Sequence, residues 1–416
     1  MSDSGLLSTL NPLCKEVNPL TASQQVLLSV LSRPFGLTDS LDFPCDEQER
    51  RGVVEESIKQ GVCLAFSDSL RESEKDSGVA YRTLRKYADV TQKRNIEIYE
   101  AHYFISKLLT DNDIKHVVIK GIASDRYYKK QFLRTLGDVD IMLAGDDIKA
   151  AEALLISNGF HFIKNASTHH SALARNGIRI ELHDSIGNLK RGSGTVLNLF
   201  YSDNGIIPTA ESVKYANTDI PVPNDYFHGL ILLLHTTGHI KTEGIGLRHL
   251  FDWAHFVSRF ENDEFDKAFA DTLEKLGLYT LAKALTRACE FIGLKKYAFA
   301  SDIPDSTART LIEDILSVGN MGQKNEHDRF SRSNANRNKP DAASSRFGYL
   351  LTTLNNHVYL HFKTAKKIKA LLPIGYIYVM IRWFILRISG KRTRLDITKS
   401  LDSAINRDTI VRLLEL

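Results

Sequence analysis

Apolar residues between about Thr21 and Leu109 recur at helical spacing, and Tyr81, Leu84, Tyr87, Ile96, Tyr99 and Leu108 predict long amphipathic helices. The period then changes. Val117-Val118-Ile119 and the alternating Val139, Ile141 and Leu143 are short β-branched or aliphatic runs bounded by glycine and polar residues, the pattern of strands. From Asp147 to Gly159 the chain predicts a helix, with acids at its start, Ile148, Ala151, Leu154 and Leu155 on one face and glycine at its end. Phe160-His161-Phe162 restarts a strand. Asn176-Gly177 separates Ser171-Ala172-Leu173-Ala174 from Ile178-Arg179-Ile180-Glu181-Leu182-His183, which predicts a tight hairpin. The helical period returns after Pro223, with Asp225 as the expected N-cap of the Leu230–Leu234 run and a further helix over Leu247 to Phe256.

These elements predict an α+β protein in which a small mixed β-sheet is flanked by helices on both sides in sequence. The expected divisions are an N-terminal helical region over 1–110, a mixed core over 111–222, a helical domain over 223–320, a flexible linker or loop over 321–346 and a basic helical segment over 347–416. The linker is assigned from Gly322 to Ser345, where Asn, Ser, Arg and Lys dominate and almost no aliphatic side chain is available to bury. A chain of 416 residues is long enough for two or three such units.

Composition narrows this picture only slightly. Hydrophobic residues at 43% and charged residues at 25% are ordinary for a folded protein and exclude a fibrous or mostly disordered chain. The net charge of +4 leaves a nucleotide, a nucleic acid and a membrane surface all open as partners. Cys14, Cys45, Cys63 and Cys289 are scattered without a Cys-x-x-Cys pair, so they read as reduced thiols rather than zinc ligands or a redox dithiol. The start of the chain has no basic region followed by an apolar one, and a cytoplasmic location is expected.

The segment that carries chemistry runs from Lys120-Gly121-Ile122-Ala123-Ser124 to Arg134-Thr135-Leu136-Gly137-Asp138-Val139-Asp140. Residues two apart in a strand share a face, so Asp138 and Asp140 present their carboxylates together while Val139 and Ile141 turn to the core. Such a pair is costly without a cation. Hard oxygen ligands suit Mg²⁺ or Mn²⁺, and Mg²⁺ leaves its remaining positions to water and substrate phosphates. If the strand carrying Glu181 lies beside that of Asp138, Glu181 completes a three-carboxylate cluster able to hold two metals for in-line displacement, as a ligand or as the base. Gly121 follows a strand and is expected to open a helix, so that backbone N–H groups approach a triphosphate with Lys120 adding a point charge.

Lys120-Gly121, Arg134, Asp138-Val139-Asp140, Glu181-Leu182-His183 and Leu247-Arg248-His249-Leu250-Phe251-Asp252 together resemble the nucleotidyltransferase superfamily that includes DNA polymerase beta. Within it they are similar to the uncharacterised bacterial nucleotidyltransferases often associated with surface-polysaccharide genes. The likeness covers roughly Tyr81 to Val257. It implies transfer of a nucleoside monophosphate from an NTP to a hydroxyl or phosphate acceptor, which is a small molecule, a sugar phosphate, a protein or tRNA. Asp138, Asp140 and Glu181 would then hold the metal, and Lys120, Gly121, Ser124 and Arg134 the triphosphate. The superfamily glycine is followed by Ser or Gly, whereas Ile122 stands here and Ser124 comes two residues later.

Two other readings use the same residues. In a glycosyltransferase, Asp138 and Asp140 would hold a metal on a nucleotide-sugar diphosphate, but that fold places alternating strands and helices before the motif, where this chain predicts helices. A non-catalytic nucleotide-binding or interaction protein is the third. His235 and His239, four apart, have a spacing that can bind metal, yet packing or a wall of the cleft is the expected role because no Glu follows the first His. Arg248 and Asp252 are expected to form an intrahelical ion pair. His169 and His170 are expected in an exposed loop.

Leu371 to Ser389 is strongly apolar but contains Pro373, Arg382 and Arg387, which argues against a membrane span. Lys363, Lys366, Lys367 and Lys369 before it and Lys391, Arg392 and Arg394 after it form a basic frame without an acidic residue. Residues 363–394 are therefore expected either to contact an anionic surface peripherally, a membrane or nucleic acid, or to pack as a core helix with solvated flanks.

Overall fold

The computed structural model describes residues 20–320 with short interruptions, the longest 187–199, together with most of 354–388 and 407–416. The linker expected over 321–346 and the pair His169-His170 lie outside the described residues.

Helices α1 (Ala22–Ser32), α2 (Glu47–Lys59), α3 (Cys63–Ser69) and the long α4 (Val79–Thr110) lead in. Helix α1 opens on a reciprocal cap, in which Thr21 Oγ1 accepts from Gln24 N–H and Gln24 Oε1 accepts from Thr21 N–H. Strand β1 (His116–Val118), the four-residue helix α5 (Ile122–Asp125), strand β2 (Val139–Leu143), helix α6 (Ile148–Ser157) and strands β3 (His161–Phe162), β4 (Ser171–Arg175) and β5 (Ile178–His183) follow. The five strands form one mixed sheet in the order β1-β2-β5-β4-β3, with β2 and β5 parallel and the other pairs antiparallel. The β4–β5 turn consists of Asn176 and Gly177, both at positive φ, as a type I′ hairpin requires.

A separate hairpin, β6 (Glu211–Tyr215) with β7 (Thr218–Val222), precedes helices α7 (Asp225–Lys241), α8 (Leu247–Val257), α9 (Asn262–Leu276), α10 (Tyr279–Cys289) and α11 (Asp305–Val318). The N-cap of α7 is Asn224 rather than Asp225: the Asn224 side chain accepts from Phe227 N–H at 3.0 Å, and Asp225 is the first helical residue. A last helix, α12, spans Leu372–Ile388.

Two apolar clusters organise these layers. One face of the sheet, with Val139, Ile141, Ile180 and Leu182, packs with Ile98, Ile105 and Leu109 of α4 and with Ala151 and Leu155 of α6. The larger cluster joins α1 to α3 with α7 to α11 and takes Val117, Ile119 and Met142 from the opposite side of the sheet. Side chains that alternate with the sheet's core residues therefore point toward the helical body. That is where the acidic residues of β2 and β5 lie. Cys63 and Cys289 are buried free thiols.

Candidate active site

The parallel pairing of β2 with β5 sets Asp140 opposite Glu181 and Met142 opposite His183. Because partners in register point the same way, Asp140, Glu181 and His183 share one face. Asp140 is 1% exposed and Glu181 9%. Asp140, Glu181 and His183 each offer a ligand atom within 4.8 Å of the others. Lys120 Nζ lies 2.6 Å from Asp140 Oδ1, and His183 Nε2 lies 2.9 Å from the same oxygen. Burial alone would raise the Asp140 carboxyl, but Lys120 and His183 overcome it and hold the group well below the usual carboxylate range. Arg179 pairs with Glu181 Oε1 at 2.5 Å.

Asp138 stands apart from this trio. It precedes β2, is half-buried and is not among the three close ligand atoms. The negative charge of Asp140, then burial, raises its carboxyl above the ordinary value. Crowding like charges on one buried face in this way is the condition that a divalent cation relieves, and two carboxylates with an imidazole are a donor set such an ion accepts.

Gly121 ends the loop from β1 at φ 65°, ψ −111°, and α5 begins directly after it. A side chain is excluded on two counts: the positive φ, and a Cβ that would lie 3.0 Å from His102 Nε2. His102 Nδ1 is bonded to the Ile98 carbonyl at 2.8 Å, and its buried Nε2 has no hydrogen-bond partner. Burial lowers this imidazole to about 4, so it is neutral. Ser124 is buried on α5 with its hydroxyl 3.4 Å from His228 Nε2.

Arg134, expected on the triphosphate, has its guanidinium engaged elsewhere: Nε and Nη2 donate to the two oxygens of Asp252, each at 2.8 Å. The intrahelical Arg248–Asp252 pair is replaced by this contact across 118 residues, and Arg248 Nη1 donates to the Thr135 carbonyl at 3.2 Å. Tyr128 also donates to Asp252, at 2.9 Å. Burial first, and then the Asp252 charge, push the Tyr128 hydroxyl well up.

Two residues without a sequence signal complete the brace. Asn95 of α4 donates to the carbonyls of Phe132 and Arg134 and accepts from Leu136 N–H. Asp125 accepts from Tyr99 Oη and from Phe132 and Arg134 N–H. The loop entering β2 is thereby fixed from both sides, which fixes where Asp138 and Asp140 stand.

His235 and His239 lie on α7 with Nε2 atoms 2.9 Å apart, and α8 adds His249, whose ring centroid is 5.8 Å from that of His235. His235 and His249 line a cavity of ≈ 10 Å³ with Lys120, Ser124, Arg134 and Asp252. His235 and His249 thus stand beside Lys120 at the edge of the carboxylate face.

A family model described as "Uncharacterised nucleotidyltransferase" matches residues 46–292, from the N-cap of α2 to the end of α10's following turn, and so contains the whole constellation. Among curated proteins none matches the chain. The chain belongs to this uncharacterised nucleotidyltransferase family.

Proposed function

We propose that this member of the nucleotidyltransferase family has the DNA polymerase beta-like catalytic arrangement and moves an NMP group from an NTP to a hydroxyl or phosphate acceptor, with Mg²⁺ or Mn²⁺ held by Asp138, Asp140 and Glu181. The observation that carries this is the register pairing of Asp140 with Glu181 on a buried face, beside the glycine turn at 121. His183 is within reach of the same cation. When bound, the divalent ion supplies the positive charge that draws the triphosphate to the carboxylates and favours the ionised acceptor.

The protein's own residues supply position and charge. Gly121 lets the chain approach a phosphate where any side chain would meet His102. Lys120, now on Asp140, is placed to turn its ammonium toward triphosphate oxygens, and Ser124 lies one turn further on. Arg134, fixed by Asp252, contributes to the electropositive wall rather than to a direct contact. The acceptor oxygen forms the new bond to the α-phosphorus, the bond to pyrophosphate breaks, and Glu181 receives the acceptor's proton.

The test is label transfer. With NTP labelled at the α-phosphate, and Mg²⁺ or Mn²⁺, label should pass to acceptor with an equal amount of pyrophosphate released. Label moving from the γ-phosphate, or consumption of a UDP-sugar without pyrophosphate, would overturn the reading in favour of a kinase or a glycosyltransferase.

We further propose that the enzyme works at an anionic membrane surface, which suits an acceptor assembled there, such as a surface-polysaccharide precursor. No helix among the described residues is long and apolar enough to cross a membrane. Helix α12 nevertheless leaves Ile374, Ile377, Met380, Ile381, Phe384 and Ile385 exposed, between 55% and 64% each. Its Gly375 side packs on Val358. Residues 363–394 contain nine Lys and Arg and neither Asp nor Glu, a charge pattern made for anionic headgroups. Binding to vesicles containing phosphatidylserine should exceed binding to neutral vesicles. Ile377→Glu/Ile381→Glu should lower it by about tenfold or more, since burying each aliphatic side chain is worth about 1.5–3 kcal/mol. Equal retention of wild type and variant would refute the contact.

A further inference from the structure

We infer that His235, His239 and His249 form a second metal site, separate from the carboxylates, for a divalent ion of the zinc class. Each imidazole offers a ring nitrogen within 4.8 Å of the other two. The first two come from one face of α7, and the third from α8, so two helices are needed to build the cluster.

The hydrogen bonding of these rings is incomplete. His235 and His239 share one contact, Nε2 to Nε2, while both ring nitrogens of buried His249 have no hydrogen-bond partner. A buried imidazole with neither nitrogen satisfied loses roughly 1–3 kcal/mol for each missing bond. A cation between the three rings uses those lone pairs. Burial keeps all three neutral, His239 near 4 and the others well below the ordinary value, and the neutral ring is the form that ligates.

Nitrogen donors select the ion. Three imidazoles suit Zn²⁺, Co²⁺ or Ni²⁺ and not Mg²⁺ or Ca²⁺, which the oxygen-rich face of β2 and β5 would take. Three protein ligands with one open position is the composition of catalytic rather than structural zinc sites. The cavity of ≈ 10 Å³ beside His235 and His249 has room for about one water-sized fourth ligand, and Lys120, Ser124 and Thr236 also line it. Lys120 and Arg248 both act on the cluster and oppose a cation. Their charges are met by carboxylates: Lys120 by Asp140 at 2.6 Å, and Arg248 by the fields of Asp252 and Asp138.

Cobalt reads the two sites separately, because Co²⁺ with few nitrogen ligands gives intense visible bands and Co²⁺ in an oxygen-rich octahedron gives weak ones. The full chain, stripped with chelator and titrated with Co²⁺, should develop the intense bands with one equivalent and lose them on adding one equivalent of Zn²⁺. His239→Gln and His249→Gln should each weaken binding by about 100-fold or more. Asp140→Asn should keep the bands, with Co²⁺ held more weakly because Lys120 loses its counter-charge. Circular dichroism of the metal-free variants checks the fold, and His249→Phe, which keeps the ring volume, gives a second test of the same ligand. Absent bands in the wild type, bands that survive in His239→Gln and His249→Phe, or a cluster that protects against heat with inorganic phosphate but not with Zn²⁺, would overturn the site. None of these outcomes depends on nucleotidyl transfer.

Discussion

Asparagine at position 140 is expected to lower nucleotidyl transfer by about 1,000-fold or more, because the lost ligand removes several kcal/mol of charge stabilisation and each 1.4 kcal/mol is tenfold in rate. Asn keeps the shape of the side chain and the hydrogen bond to His183, so the fold should survive. Its cost is local: Lys120 Nζ, 2.6 Å away, loses the carboxylate that neutralises it. Calorimetry with Mn²⁺ and NTP should show metal-dependent binding in the wild type and its loss in Asp140→Asn. The same loss is expected in Asp138→Asn, whose carboxylate extends the acidic face at the entrance to β2. Metal-dependent binding that persists in both variants would remove the carboxylates from the site.

Breaking the Arg134–Asp252 pair should have the largest effect on stability. Both side chains are almost wholly buried, the guanidinium is held by two bonds of 2.8 Å, and Tyr128 donates to the same carboxylate. Arg134→Met leaves Asp252 buried with one hydroxyl partner and should cost about 3–5 kcal/mol, whereas Arg134→Met/Asp252→Leu should recover much of that loss. Urea unfolding of the two single variants, the double variant and the wild type measures the coupling. A single-variant cost under about 1 kcal/mol would mean that the pair does not brace the loop. The double variant should fold yet turn over slowly, since the segment that presents Asp138 would then be held by Asn95, Asp125 and Arg248 without the buried clamp.

Asp140 and the Arg134–Asp252 pair lie on opposite sides of what a linear chain reveals. Asp138-x-Asp140 is readable because strand alternation is a local rule that needs no partner. The same holds for the Asn176-Gly177 turn, whose positive φ values are a property of two residues, and for Gly121. Arg134 is different. Its type and place fit a phosphate ligand until α8 brings Asp252 to it from 118 residues away. Arg248, four residues from Asp252 along the helix, was the nearer candidate by sequence, yet proximity along a helix is worth only about 0.2–0.5 kcal/mol and a buried two-point contact outweighs it.

The sequence by itself determined the periodicities, the glycine turn and the acidic strand, because backbone sterics and side-chain alternation act over a few residues. Tertiary structure decided which acidic side chains come together. Parallel pairing joined Asp140 to Glu181 and His183 and left Asp138 at the strand's entrance. It also placed Lys120 on Asp140, clamped the loop with Asn95 and Asp125, and added His249 to the pair on α7. Electrostatic and ligand geometry depends on distance through space, and only packing of the sheet against the helical body sets those distances.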